Sequence, residues 1–120
     1  MGKRILVVDA DAVSRATLMS GLAAAGYRAS CRATAEEALE SLAAHPDIEL
    51  AIVAVNFPEL DGFAFLEKVK TLHPSVRVLL MTGLPTYEDM RRAWQNGALA
   101  VMDKPVEAGE LATKVEGALA

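Results

Sequence analysis

Leu50-Ala51-Ile52-Val53-Ala54-Val55-Asn56-Phe57-Pro58-Glu59-Leu60-Asp61-Gly62 is the stretch from which the fold of this chain can be read. Its opening run, Leu50 to Val55, is apolar at every position, with none of the alternation of a strand that faces water on one side. With Ile48 before it, this run predicts a strand over Ile48 to Val55 that is covered on both faces. Asn56-Phe57-Pro58 turns the chain. Asp61-Gly62 then opens a helix reaching Leu72, in which Phe63, Leu66 and Val69 recur every three residues, and His73-Pro74 closes it. A doubly covered strand followed at once by an amphipathic helix is one unit of a parallel α/β sheet.

The same alternation repeats on either side. Ile5-Leu6-Val7-Val8 is a second fully apolar strand. Asp11 to Ala25 carries Leu18, Leu22 and Ala25 at helical spacing, and Gly26 stops it. Tyr27 to Arg32 is a weaker strand, suited to a sheet edge. Thr34, with Glu37 three residues on, forms a capping box for a helix bearing Ala38, Leu39 and Leu42, which His45-Pro46 ends. Beyond the central unit, Val76 to Thr82 reads as a strand, Pro85 to Asn96 as a helix ended by Gly97, and Leu99 to Met102 as a short strand. Lys104-Pro105 leads into a last helix with Leu111, Val115 and Leu119. Strand and helix thus alternate in five units with no linker, which predicts one domain over 1–120, a doubly wound parallel sheet with right-handed crossovers.

Composition narrows the function classes. Apolar residues are 52% of the chain, yet no run approaches the ~18 residues of a membrane span, and residues 1–4 do not read as a secretion signal. The expectation is a cytoplasmic protein without membrane contact. Net charge is −4, so the domain has no electrostatic basis for binding nucleic acid. The single cysteine, Cys31, has no partner for an internal disulfide and reads as a small core residue. His45 and His73 precede prolines in loops, where surface positions are expected. No glycine-rich phosphate loop, nucleophile elbow or paired Cys/His metal signature is present.

Ligands of doubly wound sheets bind beyond the carboxyl ends of the strands, at the switch point. That rule selects Asp9, Ala10, Ala54, Asn56, Thr82 and Lys104. The order and spacing of Val7-Val8-Asp9, the Asn56–Gly62 turn, Thr82-Gly83 and Asp103-Lys104-Pro105 resemble the response-regulator receiver domains of two-component signalling, over essentially the whole chain. The resemblance implies a flavodoxin-like, CheY-like fold with strand order 2-1-3-4-5. It also implies a site in which two acids after the first strand, an acceptor aspartate four residues before the turn proline, and a main-chain carbonyl two residues beyond the acceptor hold Mg²⁺, a hard cation that takes oxygen ligands. A lysine and a hydroxyl meet the transferred phosphoryl group, and an aromatic switch residue moves with it.

Carried over position by position, Asp9 is the first acid, Asn56 the carbonyl, Thr82 the hydroxyl and Lys104 the lysine. The second acid is Ala10, the acceptor is Ala54, and the switch aromatic is Val101. Asp11 follows Ala10 but is placed to cap the first helix, and Asp61 is expected to cap the third. Carboxylates ~4 Å apart repel by about 4 kcal/mol per pair at an effective dielectric of ~20. With alanine at 10 and 54 that repulsion is gone, and Asp9 is free to pair with Lys104. The expectations are weak or absent Mg²⁺ binding, no other cofactor, no enzymatic activity, and a signalling module independent of phosphorylation. The alternative is an inactivated mutant of a conventional Mg²⁺-dependent phosphoacceptor. A third reading is a small-anion pocket at Lys104 and Thr82.

Function would then rest on surfaces. The resemblance implies a histidine kinase or an output domain as partner, and a homodimer through the fourth helix, fifth strand and fifth helix. Tyr87, Met90 and Trp94, spaced three and four apart, share one side of the fourth helix, with Arg91 beside them. Two readings stand for that stripe: a protein interface, since such residues are enriched in interface cores, or a cover for the sheet.

Overall fold

The computed structural model describes residues 4–55, 62–83, 87–104 and 106–119. Strands and helices alternate: β1 (Arg4–Val8), α1 (Ala12–Ala24), β2 (Arg28–Arg32), α2 (Ala35–Ala44), β3 (Ile48–Ala54), α3 (Gly62–Leu72), β4 (Arg77–Thr82), α4 (Tyr87–Gln95), β5 (Ala100–Asp103) and α5 (Ala108–Leu119). The sheet has five parallel strands in the order β2-β1-β3-β4-β5. This is the flavodoxin-like arrangement expected of the chain.

Both faces of the sheet are covered, which explains the unbroken apolar strands. Successive residues point to opposite faces. Leu6 and Val8 of β1 and Ala51 and Val53 of β3 pack with α2, α3 and Ala93 of α4. Ile5 and Val7, with Leu50, Ile52 and Ala54, pack with Leu18 and Leu22 of α1 and Leu111 and Val115 of α5. The chain is thus a three-layer sandwich, and the strand ends that carry the site lie along one edge of it.

Local signals act as read. The Asp11 carboxylate caps α1 by accepting from the Val13 amide, and the Thr34 hydroxyl caps α2 by accepting from the Glu37 amide at 3.1 Å. Gly26 ends α1 in the left-handed region, at φ 89°. Some boundaries move. β4 begins at Arg77, because the Val76 amide closes a turn onto the His73 carbonyl at 3.0 Å. β5 runs from Ala100 to Asp103 rather than from Leu99 to Met102, since pairing with β4 starts at Leu79 opposite Ala100. Cys31 and both histidines are half-buried, not core and surface respectively. Cys31 lies on an edge strand and packs, partly buried, against the α1–α5 cluster. Among the described residues no helix is long and apolar enough to cross a membrane.

Candidate functional site

Asp9 follows β1 directly and is 2% exposed. Its amide donates to the Arg32 carbonyl at 3.1 Å, which ties the end of β1 to the end of β2. One carboxylate oxygen, Oδ1, accepts from the Asp11 amide at 2.9 Å. The other, Oδ2, lies 2.6 Å from Lys104 Nζ and has no neutral donor among the described residues. Lys104 follows β5, and its amide donates to the Thr82 carbonyl at 2.8 Å, so β4 and β5 hold the lysine stem in place. The buried acid and the partly exposed base are therefore matched one to one.

Positions 10 and 54, where the resemblance implies two further acids, carry none. Ala10 is exposed. Ala54 ends β3, is 3% exposed, and turns its methyl into the cluster that holds Val7, Leu18 and Met81. Its register partner on β4 is Met81, and Thr82, 5% exposed, comes next. Val101 is half-buried against the α2–α3 cluster. Asn56 and Asp61 lie outside the described residues, as does Pro105. Asp9, Ala54, Thr82 and Lys104 thus meet at one edge of the sheet, whereas Val101 lies within β5 on the other layer. Among the described residues no three histidine, cysteine or acidic side chains converge.

Two contributors escaped the sequence reading. Arg15 donates from one guanidinium nitrogen to the Asp9 carbonyl at 2.8 Å and the Ala10 carbonyl at 3.1 Å. It thereby fastens the β1–α1 connection to the first turn of α1. The available signal was that Arg15 is the only charged residue within α1. Gly62 is the second. A Cβ there would fall 2.6 Å from Val55 Cα, and the Gly62 amide donates to the Val55 carbonyl at 2.7 Å. Only glycine lets α3 start so close to the end of β3.

Away from this edge, the stripe on α4 faces solvent. Tyr87 is 83% exposed, Trp94 72% and Met90 47%, while Ala93 is the helix's buried residue. Met90 and Trp94 do not cover the sheet. Arg91 is exposed beside them and pairs with Glu88 at 3.0 Å. The inner side of α4 is held by Ala93 and by the Arg92 guanidinium, 4.2 Å from the Phe63 ring centroid.

The family profile of the response regulator receiver domain matches residues 5–116. The chain is 34% identical over 117 residues to the transcriptional regulatory protein ZraR of Escherichia coli K12, covering 97% of this chain and 26% of that protein. It is also 34% identical over 116 residues to the DNA-binding transcriptional regulator NtrC of the same organism, covering 96% of this chain and 24% of that one. The chain therefore spans about a quarter of the length of these relatives. Among solved structures, a CheY-like receiver domain protein of Methanospirillum hungatei superposes with a TM-score of 0.93 at 30% identity, over 99% of this chain and 94% of that one. The beryllofluoride-activated NtrC4 receiver domain, solved as a dimer, superposes with a TM-score of 0.91 at 25% identity, over 97% and 95% of the two chains.

Proposed function

The chain belongs to the response-regulator receiver family, and we propose that it is a receiver module, over 1–120, that signals through protein contacts without being phosphorylated at the end of β3. The observation that carries this reading is Ala54, a methyl group packed into an apolar cluster at the acceptor position. A methyl carbon has no lone pair to attack phosphorus. Mg²⁺ is poorly served for a related reason: of the three carboxylates that the resemblance implies only Asp9 is present, and both of its oxygens are already engaged, by the Asp11 amide and by Lys104. The residues do not fit a resident dication. The module performs no chemistry of its own; its partner is a histidine kinase or an output domain or protein, met through the surface of α4, β5 and α5.

Incubation with radiolabelled acetyl phosphate and millimolar Mg²⁺ tests the reading. The chain should acquire no hydroxylamine-sensitive label; an aspartyl phosphate mapped to this edge would sink it. The rival reading, a conventional phosphoacceptor disabled by substitution at position 54 alone, is disfavoured by Ala10 and Val101. Those two positions depart from the pattern independently.

A further inference from the structure

We infer that a cavity between α1 and the ends of β4 and β5 binds a free α-amino acid with an apolar side chain of about leucine's size, held by its charged groups between Lys104 and Asp11. The inference rests on the reading of this edge as free of phosphoryl transfer, which leaves the Lys104 ammonium open to another anion.

The cavity, about 310 Å³, opens beside the first half of α1. Neither Ala54 nor Thr82 lines it, so it is not the vacated acceptor position. Its deep wall is apolar: Leu18 and Met81 are 3% and 0% exposed, and Val106 is half-buried beside them. Val13 stands at the lip, a branched apolar side chain that is 73% exposed. At the ~30 Å³ that one water occupies in the liquid, the space takes roughly ten non-hydrogen atoms, at the small end of ligand pockets. Leucine is of that size.

The charges set the class of ligand. Lys104 and Asp11 line the same cavity and both touch the Asp9 carboxylate, the ammonium lying 2.6 Å from Oδ2 and the Asp11 amide 2.9 Å from Oδ1. One buried side chain thus holds the two as neighbours. An ammonium has three N–H donors, and among the described residues Lys104 Nζ meets Asp9 alone, with its side chain 26% exposed. Asp11 gives one oxygen to the Val13 amide, and its other oxygen has no partner among the described residues. A simple carboxylate would be opposed by Asp11 and a simple amine by Lys104, whereas a zwitterion pairs with both. Because the two charges are neighbours, the matching ammonium and carboxylate sit on one carbon atom, not at the distant termini of a peptide. The side chain is apolar because a polar one would lose its water against Leu18 and Met81 without gaining a partner.

So small a ligand in an open cavity binds weakly, with a dissociation constant of roughly 0.1–2 mM. Titrating the isotope-labelled whole chain with L-leucine to ~20 mM, followed by two-dimensional NMR, covers that range. Saturable shifts should appear at the amides of Asp11 to Leu18, Met81, Lys104 and Val106. Isocaproate, isoamylamine and glycine lack the ammonium, the carboxylate and the apolar side chain in turn; each should bind at least about tenfold more weakly. Asp11→Asn keeps a helix cap but removes the charge. It should weaken leucine at least about fivefold and bring isocaproate level with it, with an unchanged circular dichroism spectrum. No saturable shift with leucine, shifts centred elsewhere, an analogue as tight as leucine, or binding indifferent to Asp11→Asn overturns the site. The radiolabel answers the other question separately: an unlabelled chain that ignores leucine refutes only this site, and a labelled chain that binds it only the silenced acceptor.

Discussion

The Asp9 carboxylate is nearly sealed from water, and its two oxygens have one donor each, the Asp11 amide and the Lys104 ammonium. That arithmetic predicts an asymmetry between the partners. Lys104→Met strands a buried anion with a single hydrogen bond; removing one member of a buried pair costs about 3–5 kcal/mol. The lysine is partly open to water, its side chain 26% exposed, so the cost should fall at the lower end, about 3 kcal/mol. Asp9→Asn keeps one oxygen for two donors, and the lysine can turn to solvent, so the loss should be about 1 kcal/mol. Urea denaturation of both variants checks the order; an equal or greater loss for Asp9→Asn would show that the buried charge is not what the lysine stabilises. Gly62→Ala is predicted to cost about 3 kcal/mol, because the added methyl meets the main chain of Val55, which cannot move without disturbing β3. A Gly62→Ala protein whose stability stays within about 1 kcal/mol of the parent by the same measurement would refute that close approach.

At the scale of the element, the caps, the helix stops and the doubly covered strands were legible because each depends on a few neighbouring residues: Asp11, Thr34 with Glu37, Gly26, and the run from Leu50 to Val55. The inner side of α4 was not. An apolar stripe at helical spacing ordinarily marks the buried side, and Tyr87, Met90 and Trp94 form the strongest such stripe on that helix. In the structure the helix turns that stripe outward and packs through the small Ala93, with Arg92 over Phe63 supplying the rest. Alternation and spacing cannot show that a helix sits too close to its sheet for large side chains; only the packed neighbours do. The register of β5 was missed for the same reason, being set by pairing with Leu79 to Thr82. α4 therefore tolerates change outside and not inside. Trp94→Ala should shift stability by no more than about 0.5 kcal/mol, whereas Ala93→Leu should cost about 1–3 kcal/mol by forcing the helix off the sheet. Thermal melts of the two at low protein concentration, where self-association is absent, decide it; a large loss for Trp94→Ala would mean that the ring packs on its own domain.

For the molecule as a whole, the site edge should be electrostatically settled without a metal. Among the described residues of the parent chain the Asp9 carboxylate and the Lys104 ammonium are in contact there, and its melting temperature should move by less than about 1 °C on adding millimolar Mg²⁺, since an ion that does not bind the native state adds nothing to its stability. Placing aspartate at both Ala10 and Ala54 restores a crowded acidic edge. Two further charges beside Asp9, each repelled by about 4 kcal/mol per close pair before screening, should destabilise the fold. Solvation of the exposed position 10 reduces the net loss to about 2–4 kcal/mol, or roughly 8–16 °C. Mg²⁺ should then recover several degrees, because the dication offsets that repulsion and binds only the folded edge. The contrast between the two proteins is the informative quantity. A parent stabilised by Mg²⁺ as strongly as the double variant would mean that Asp9 releases Lys104 to take a metal, and the account of a self-neutralised site would fail.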